Sequence, residues 1–396
     1  MTSDNFRAIR PSRLRVAVAA VAALLVASSA LVVGGSTVGA VTTPGAAYAE
    51  FTTPAGANPS WTSSLSMAGA AGFPSATIAT NSLSPSVPSG ASTWLSAATP
   101  FGTQFASSQN QKYLSFSPTT GQAMSTTVIT FASLTPVTGW GFAFGDVDAE
   151  SIGVSATDAN GAAVSASDLG FQSSFNLCNI PSPKPSTCSG VVTYDAPTWI
   201  PGSNSGVLQG NTNDTVGASG WFMPLVAIRT LTITNTNLSG IPTATLWIAS
   251  NLRVIAGTIT QPETPPEPTT TTTEAPTTTS SSTTTSSTSS STSSTTSTTI
   301  APTTTTTVEP TPNPDPVPDA VIEVIDSTGT VVAETTTDSN GDFSFPAMAP
   351  GIYTLVEIPP AGSLPPADFP MIVDVTYGNV TGIIVVNSPA VPKFTG

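Results

Sequence analysis

The chain has 396 residues, with 9 Lys and Arg, 23 Asp and Glu, no histidine and a net charge of −14. The missing histidine excludes Ser-His-Asp and Cys-His catalysis and imidazole metal ligands. The negative charge argues against nucleic acid as a partner, because few basic side chains are present to neutralise phosphates. A hydrophobic share of 39%, a charged share of 8%, 37 Pro and 31 Gly are typical of a secreted, loop-rich β protein.

Residues 1–49 have the features of an export signal. Four arginines precede an apolar run from Val16 to Val33, and a small-residue stretch ends in Ala47-Tyr48-Ala49. This order predicts a signal peptide cleaved after Ala49. The alternative is an uncleaved membrane anchor over 16–33, because about 18 apolar residues are enough to span a bilayer. We expect any contact with a membrane to involve only this segment.

Residues 50–257 are predicted to form a β-sandwich head domain. The pattern shows short strands and no convincing helical periodicity. About 200 residues suit a single jelly-roll-like sandwich. The predicted strands are Thr126–Phe131, Gly139–Phe144, Ile152–Thr157, Val191–Tyr194, Arg229–Asn235 and Ala244–Ile255.

Residues 258–318 are predicted to be a disordered linker. From about Gln261 to Pro318 the chain consists almost entirely of Thr, Ser and Pro. Such a segment has too few apolar groups to offset the entropy of ordering it. Two interpretations remain open: a stalk that holds one domain away from a surface, or an inert tether between domains.

Residues 319–388 are predicted to form a second, small β-sandwich of about seven strands. Turn signals such as Asn340-Gly341 and Gly378-Asn379 separate its strands. The predicted strands are Val321–Ile325, Val331–Thr337, Phe343–Phe345, Tyr353–Ile358, Ile372–Tyr377 and Thr381–Val386.

This small sandwich resembles the Cna-B or SdrD B-like (prealbumin-like) domains of Gram-positive surface proteins and pilins. The resemblance rests on "VIEVIDSTGTVVAETTTDSNGDFSF", "APGIYTLVEIPPAG" and "GIIVVNSP". It implies an isopeptide bond between a first-strand lysine and a last-strand asparagine, assisted by a buried acid. Glu357 matches the acid and Asn387 the asparagine, but Val321–Ile325 contains no lysine. We therefore predict that no isopeptide bond forms.

The tail 389–396 carries a degenerate sorting-like motif. Val391-Pro392-Lys393-Phe394-Thr395-Gly396 resembles the L-P-x-T-G signal of these pilins, with an extra residue between Pro and Thr. We expect it not to work as a sorting signal.

Five polar residues of the head are a candidate Ca²⁺ site. Asp146, Asp148 and Glu150 alternate after a strand, and Asp158 and Asn160 lie in the next hairpin. Clustered oxygens are the ligands that Ca²⁺ requires. The alternative is that these residues form turns by bonding to their own backbone. No other cofactor is expected.

Cysteines and tryptophans supply the remaining candidate sites. Cys178 and Cys188 are ten positions apart in an exported chain, which predicts a disulfide closing a Pro-rich surface loop. Trp199 and Trp221 lie beside Pro- and Gly-rich loops and are a candidate platform for sugars.

Together these features predict a non-enzymatic protein of a Gram-positive-type cell surface. It would present the head on a Thr/Ser-rich stalk, for adhesion or as an envelope component, with a host or envelope protein or polysaccharide as partner. The alternative is a secreted polysaccharide-binding module, assisted by Ca²⁺. A hydrolase that uses Asp146 and Asp148 is a third hypothesis, because glycosidases need only two acids.

Overall fold

The structure is a computed structural model that describes residues 45–119, 124–240, 242–263 and 314–390. The candidate membrane anchor 16–33, most of the predicted linker and the sorting-like motif lie outside these residues. In the part of the chain that is described, no helix has the length and apolar character needed to cross a membrane. The described elements are nearly all strands, which confirms the all-β fold class.

The head consists of two packed antiparallel sheets. The six-stranded sheet contains β1 Ala46–Tyr48, β6 Leu114–Phe116, β8 Trp140–Gly145, β10 Phe171–Asn176, β13 Ala218–Phe222 and β15 Ala244–Asn251. The nine-stranded sheet contains β2 Glu50–Phe51, β3 Ala55–Ala57, β4 Ser60–Ser66, β5 Ala76–Thr80, β7 Ser125–Phe131, β9 Glu150–Thr157, β11 Thr198–Pro201, β12 Ser205–Gln209 and β14 Thr230–Asn237.

Alternation along the strands positions the main core between these sheets. Ile129 and Phe131 of β7 face inward toward Trp140, Phe142 and Phe144 of β8, and all are at most 1% exposed. Successive side chains of a strand point to opposite faces, so the small residues of β8 lie on the outer face of its sheet. That face is also covered, since every residue of β8 is buried.

A short helix, α1 Pro100–Phe105, covers the outer face of the six-stranded sheet. Thr99 caps it by accepting a hydrogen bond from the Gly102 N–H, and Pro100 occupies the first turn. Phe101 and Phe105 pack edge-on against Trp221 of β13. The sequence prediction of no helix in this region was wrong, although Thr-Pro is a recognisable start signal.

The small sandwich contains two four-stranded sheets and a short strand pair. The first sheet contains β16 Arg253–Gln261, β17 Asp315–Pro316, β20 Asp342–Met348 and β24 Val380–Val386. The second contains β18 Val321–Ile325, β19 Val331–Thr336, β21 Ile352–Ile358 and β23 Met371–Asp374. The pair is β22 Ser363–Leu364 with β25 Ser388–Pro389.

The six strands predicted in 319–388 are present, but the sandwich takes another strand from before the low-complexity segment. Strand β16 runs parallel to β24 and antiparallel to β20. Its Ile255 and Ile259 are fully buried in the core of the small sandwich. The predicted boundary between 257 and 258 therefore falls inside a strand of the C-terminal module.

Two strand predictions in the head need correction. Ala244–Ile255 is not one strand, because the chain breaks at Leu252 into β15 of the head and β16 of the small sandwich. Val191–Tyr194 is not a strand, and it follows the disulfide loop as an irregular segment in which Val192 is 87% exposed.

The residues on both sides of the low-complexity segment belong to the small sandwich. Thr260 pairs with Pro316 and Gln261 with Asp315, so the residues on either side of the segment are neighbours in one ladder. A stalk would need this segment to connect the two sandwiches. The connection is instead the step from β15 to β16, which is complete before the segment begins.

The head and the small sandwich also contact each other directly. The Ala71 N–H donates to the Ala347 carbonyl at 2.8 Å, and the Ala349 N–H donates to the Ala71 carbonyl at 2.7 Å. Gly72 has φ +85°, and a Cβ there would meet the Tyr353 ring. Glycine is thus required at this close approach.

The first described residues belong to the folded head. Ala46–Tyr48 pairs with Asn251–Ala249 of β15, and the Tyr48 hydroxyl donates to the Ala106 carbonyl at 2.8 Å. Ala49 is 2% exposed. Cleavage after Ala49, as the A-x-A pattern predicts, would remove a strand that the fold uses.

Candidate functional sites

The acidic residues after β8 lie in a region of high negative charge. Asp146 has φ +64°, and its Oδ1 accepts a hydrogen bond from the Gly217 N–H at 3.3 Å. The Thr215 hydroxyl lies 3.1 Å from Asp148 Oδ2 and 2.7 Å from Asp195 Oδ1. Thr215 thus connects two carboxylates from different loops.

Burial dominates the electrostatics of this region. It raises the pKa of Asp146 to about 7, with repulsion from Asp148 as the next cause. Burial likewise raises the pKa of Asp148 and raises the pKa of Glu150 well above its ordinary value. These shifts come from desolvation and from like charges, and hydrogen bonds offset them only in part.

The predicted five-residue Ca²⁺ set does not form. Glu150 begins β9 and Asp158 follows its other end, so the two are separated by a strand of about 25 Å. Asp158 Oδ1 accepts from the N–H groups of Asn160 and Ala162, at 2.8 and 2.9 Å. This is the turn-forming alternative. Among the described residues, no group of three or more His, Cys, Asp or Glu could hold a metal ion.

A small polar cavity of about 170 Å³ lies beside Asp146. Its lining includes Tyr113 and Thr245 and reaches Thr187 in the disulfide loop. The pKa of Tyr113 is raised, first by burial and also by the charge of Asp146, while a hydrogen bond from Thr93 opposes the shift. The cavity contains a single carboxylate, so the two-acid arrangement of a glycosidase is not present in it.

The predicted disulfide is confirmed. Cys178 and Cys188 are bonded with a Cα–Cα distance of 5.3 Å, and both side chains are buried. The chain between them exposes residues 181–184 at the surface. Lys184 Nζ donates to the Cys178 carbonyl at 2.8 Å and lies 5.3 Å from the centre of the Tyr194 ring. The loop is therefore an anchored surface excursion that carries one positive charge.

The predicted tryptophan platform is absent from the described surface. Trp221 is 7% exposed, and its Nε1–H donates to the Ser173 hydroxyl at 3.0 Å. Trp199 stacks on Phe171 with ring centres 5.3 Å apart and packs edge-on against Phe222. Both rings are used in packing, because α1 lies against Trp221 and the aromatic rings of β10 and β13 lie against Trp199.

A partly exposed tryptophan that sequence reasoning missed lies on the nine-stranded sheet. Trp61 of β4 borders a groove of about 300 Å³ lined also by Thr62, Asn81 and Thr126. An aromatic ring beside hydroxyl and amide groups is the usual composition of a sugar-binding groove. Trp61 shares its face of β4 with the buried Leu65, so the alternation in Ser60–Ser66 gave no signal that this ring would be partly exposed.

Glu357 and Asn387 meet in the small sandwich as the resemblance implies. Asn387 Nδ2 donates to Glu357 Oε1 at 2.6 Å and lies 2.8 Å from the Ser363 hydroxyl. The two side chains are 7% and 1% exposed. Burial raises the pKa of Glu357, and the hydrogen bond from Asn387 opposes the shift.

The strand beside Asn387 is β16 and not Val321–Ile325. The Asn387 N–H donates to the Thr260 carbonyl at 2.7 Å. Strand β16 also contains no lysine, and Gln261 is the residue next to Asn387 in the register. The amine needed for an isopeptide bond is missing from the correct strand as well.

The family comparison supports the prealbumin-like character of the C-terminal module. Residues 303–356 match the model of the carboxypeptidase regulatory-like domain family. The match includes β17, β18, β19 and β20 and the first part of β21. A comparison with curated proteins found no match.

Several solved structures to which this chain is similar are Gram-positive pilins. BcpA, the major pilin subunit of Bacillus cereus, is 12% identical, with 70% of this chain and 72% of that chain covered and a TM-score of 0.20. A variant of that pilin is 11% identical, with coverages of 67% and 64%. The full-length major pilin SpaD from Corynebacterium diphtheriae is 11% identical, with coverages of 68% and 62% and a TM-score of 0.20.

No function is inferred for this chain from these similarities, because a TM-score of 0.20 is too low to support one. The chain spans less than two thirds of the length of SpaD and of the BcpA variant.

Proposed function

We propose that the chain is an exported, non-enzymatic protein of a Gram-positive-type cell surface with a structural or adhesive role. Support comes from the export-signal pattern and from the disulfide. The match of residues 303–356 to the carboxypeptidase regulatory-like domain family supports a prealbumin-like module. The head makes the contacts with a host or envelope partner, and the small sandwich supports the head.

The observation that carries this proposal is the direct connection of the two sandwiches. Only Leu252 separates the last head strand from the first strand of the small sandwich, and Ala71 adds two backbone hydrogen bonds between them. Such a connection suits a protein that presents a surface in a fixed orientation. Both flanks of the low-complexity segment belong to the small sandwich, so the segment does not set the reach of the head.

Binding by the full chain tests the proposal. We expect the protein to bind at least one component in an array of envelope proteins, host matrix proteins and wall polysaccharides. Alanine substitution of the exposed Pro181–Lys184 loop tests whether that loop makes the contact. Turnover of any glycan by the purified chain would contradict the non-enzymatic assignment.

Polysaccharide binding in the Trp61 groove is the second candidate. The ring and its hydroxyl-rich surroundings favour it. We expect Trp61→Ala to weaken binding of a retained polysaccharide by about fivefold, since loss of one stacking aromatic costs on the order of 1 kcal/mol. Tyr377→Ala removes an 82% exposed aromatic of the small sandwich and is the matched control. Equal effects of both substitutions would exclude the groove.

A further inference from the structure

Four polar side chains lie at one end of the nine-stranded sheet, on its inward face. Glu150 begins β9, Ser125 begins β7, and Asn235 and Asn237 end β14 between them. In the register, Ser125 lies opposite Asn235 and Glu150 lies opposite Asn237. Asn235 and Asn237 are two residues apart on β14, about 7 Å, and Ser125 and Glu150 flank that strand on opposite sides, so their own Cα atoms are roughly 12 Å apart.

These side chains occupy core positions. Along the same strands, Ile152, Ile233 and Ile129 continue the inward face into the main core. Glu150 and Asn235 are 0% exposed and Ser125 is 1% exposed. The sheet therefore exchanges its apolar core for oxygen-bearing side chains at this end.

Most polar atoms of these side chains have no hydrogen-bond partner within the chain. The Asn237 amide nitrogen donates to the Gly240 carbonyl at 2.9 Å. Of the polar atoms in these four side chains, those without a partner among the described residues are Ser125 Oγ, Glu150 Oε1 and Oε2, Asn235 Oδ1 and Nδ2, and Asn237 Oδ1. Buried polar groups are rarely left unpaired, so this set indicates a bound species.

The charge around the patch is negative. Asp148 and Asp146 are the charges with the strongest effect on Glu150, and Asp214 adds to them. The Asp148 N–H lowers the pKa of Glu150, but its effect is smaller than the effect of burial and of either of these two charges. A buried carboxylate needs a compensating charge or a proton. Water alone would hydrogen-bond to it but would leave the charge uncompensated.

We propose that Glu150, Asn235 and Asn237 bind one Ca²⁺ ion, with Ser125 reached through a water ligand. A carboxylate and two amide oxygens are hard oxygen ligands of the kind that Ca²⁺ takes, with waters completing six to eight ligands. Mg²⁺ is smaller, demands octahedral geometry and gives up its waters reluctantly, so it fits such a set less well. The site shares only Glu150 with the set predicted from sequence. Its one carboxylate is that of Glu150, so the site is not a cluster of acids.

Calcium binding to the full chain tests this site. The protein is stripped with a chelator and titrated with CaCl₂ by calorimetry and by thermal unfolding. We expect one Ca²⁺ per chain, and a rise in Tm of about 5 °C when Ca²⁺ exceeds its Kd about a hundredfold. MgCl₂ should give a smaller shift. Glu150→Gln keeps the shape of the side chain and should abolish both the heat and the shift.

Two further variants keep the test decisive. Asn237→Ala, at a partly exposed strand end, should weaken Ca²⁺ binding by about tenfold and tests the site independently of the folding of Glu150→Gln. Asp158→Asn changes an acid at the far end of β9 and should leave binding unchanged. No heat and no shift with the wild-type chain would show that only water or a proton serves these atoms, and would overturn the proposal. Full binding by folded Glu150→Gln would overturn it as well.

Failure here is distinguishable from failure of the proposed function. The site concerns Ca²⁺ held within the head, whereas the proposed function concerns a macromolecular partner at its surface. A chain that binds its partner equally well with and without Ca²⁺ keeps the proposed function and separates the two.

Discussion

Asn387 shows how far a residue-level resemblance extends. The motifs around Glu357 and Asn387 predicted an acid and an amide in contact, and the two side chains are 2.6 Å apart. The strand that should supply the lysine could not be found from the sequence, because β16 lies about 60 residues before the next strand of its motif. Non-local parallel pairing leaves no local signal.

Supplying the missing amine is the first prediction. Gln261 lies next to Asn387 in the register, on the same face of β16 as the buried Ile259. In Gln261→Lys the Nζ should attack Asn387 Cγ, forming an amide and releasing ammonia, with Glu357 carrying the proton. We expect an intact mass about 17 Da below that calculated for the variant, and no such deficit in the wild-type chain.

The mass comparison includes a control. Gln261→Lys combined with Glu357→Gln should keep the calculated mass, because the proton carrier is removed. A 17 Da deficit in the wild-type chain would contradict the absence of an isopeptide bond, with the mass difference again being that of about one ammonia.

The second prediction concerns Asp146, whose pKa burial raises from 3.8 to about 7. The folded chain therefore keeps this proton at pH values where the unfolded chain has lost it. The associated stability is fully present below about pH 4 and is lost as the pH rises to about 7. Asp146→Asn cannot ionise, tolerates the positive φ and keeps the oxygen that accepts from the Gly217 N–H.

We expect the free energy of unfolding of Asp146→Asn to exceed that of the wild type by up to about 4 kcal/mol at pH 8, and to match it near pH 4. Denaturant unfolding across this range, in metal-free buffer, measures the difference. Asp158→Asn, in an exposed turn, is the control and should show no such trend. A difference that does not change with pH would refute the buried-charge explanation.

At the scale of elements, the strands with strict alternation were predictable and the ends of the domains were not. Strand β18 was predicted at its observed bounds, and β7, β21 and β24 within one residue at each end. The stretch from Ala244 to Ile255 contains no Gly or Pro to mark a break at Leu252, so two strands of different sandwiches looked like one. Helix α1 was missed because six residues are too short for a periodic pattern.

Strand β1 gives the third prediction, which concerns the mature N-terminus. The A-x-A pattern favours processing after Ala49, but Ala46–Tyr48 forms three register pairs with β15. Loss of this strand would expose the partner strand and cost roughly 2–4 kcal/mol in hydrogen bonds and buried area. We expect mass spectrometry of the exported protein to find an N-terminus upstream of Ala46. A mature chain that begins at Glu50 would contradict the assignment of β1 to the folded protein.

At the scale of the whole molecule, composition predicted an all-β protein with a low-complexity segment. The prediction that this segment connects the head to the small sandwich was wrong. The sequence order of head, linker and module suggested a stalk. The register of Thr260 with Pro316 and of Gln261 with Asp315 shows that both ends of the segment belong to the small sandwich. The composition of a Thr/Ser/Pro run does not show whether the run links two domains or has both of its flanks in one domain.

The polar patch at the end of the nine-stranded sheet was also hidden from sequence reasoning. Ser125, Asn235 and Asn237 are ordinary strand residues in the sequence, and only the pairing of β7, β14 and β9 brings them beside Glu150. Asp146 and Asp148 were predicted as ligands together with Glu150 because the three acids are close together along the chain. Amide and hydroxyl oxygens from distant strands could be added only once the register was known.

The most direct test of the two-sandwich architecture is to cut the chain within 264–313. A specific protease site is inserted there, the folded protein is cleaved, and the products are examined by size-exclusion chromatography before and after denaturation. We predict that both fragments elute together as one folded particle, because β16 in the first fragment is hydrogen-bonded to β20 and β24 in the second. They should separate only in denaturant. Separation of two folded domains under native conditions would contradict this architecture and restore the stalk.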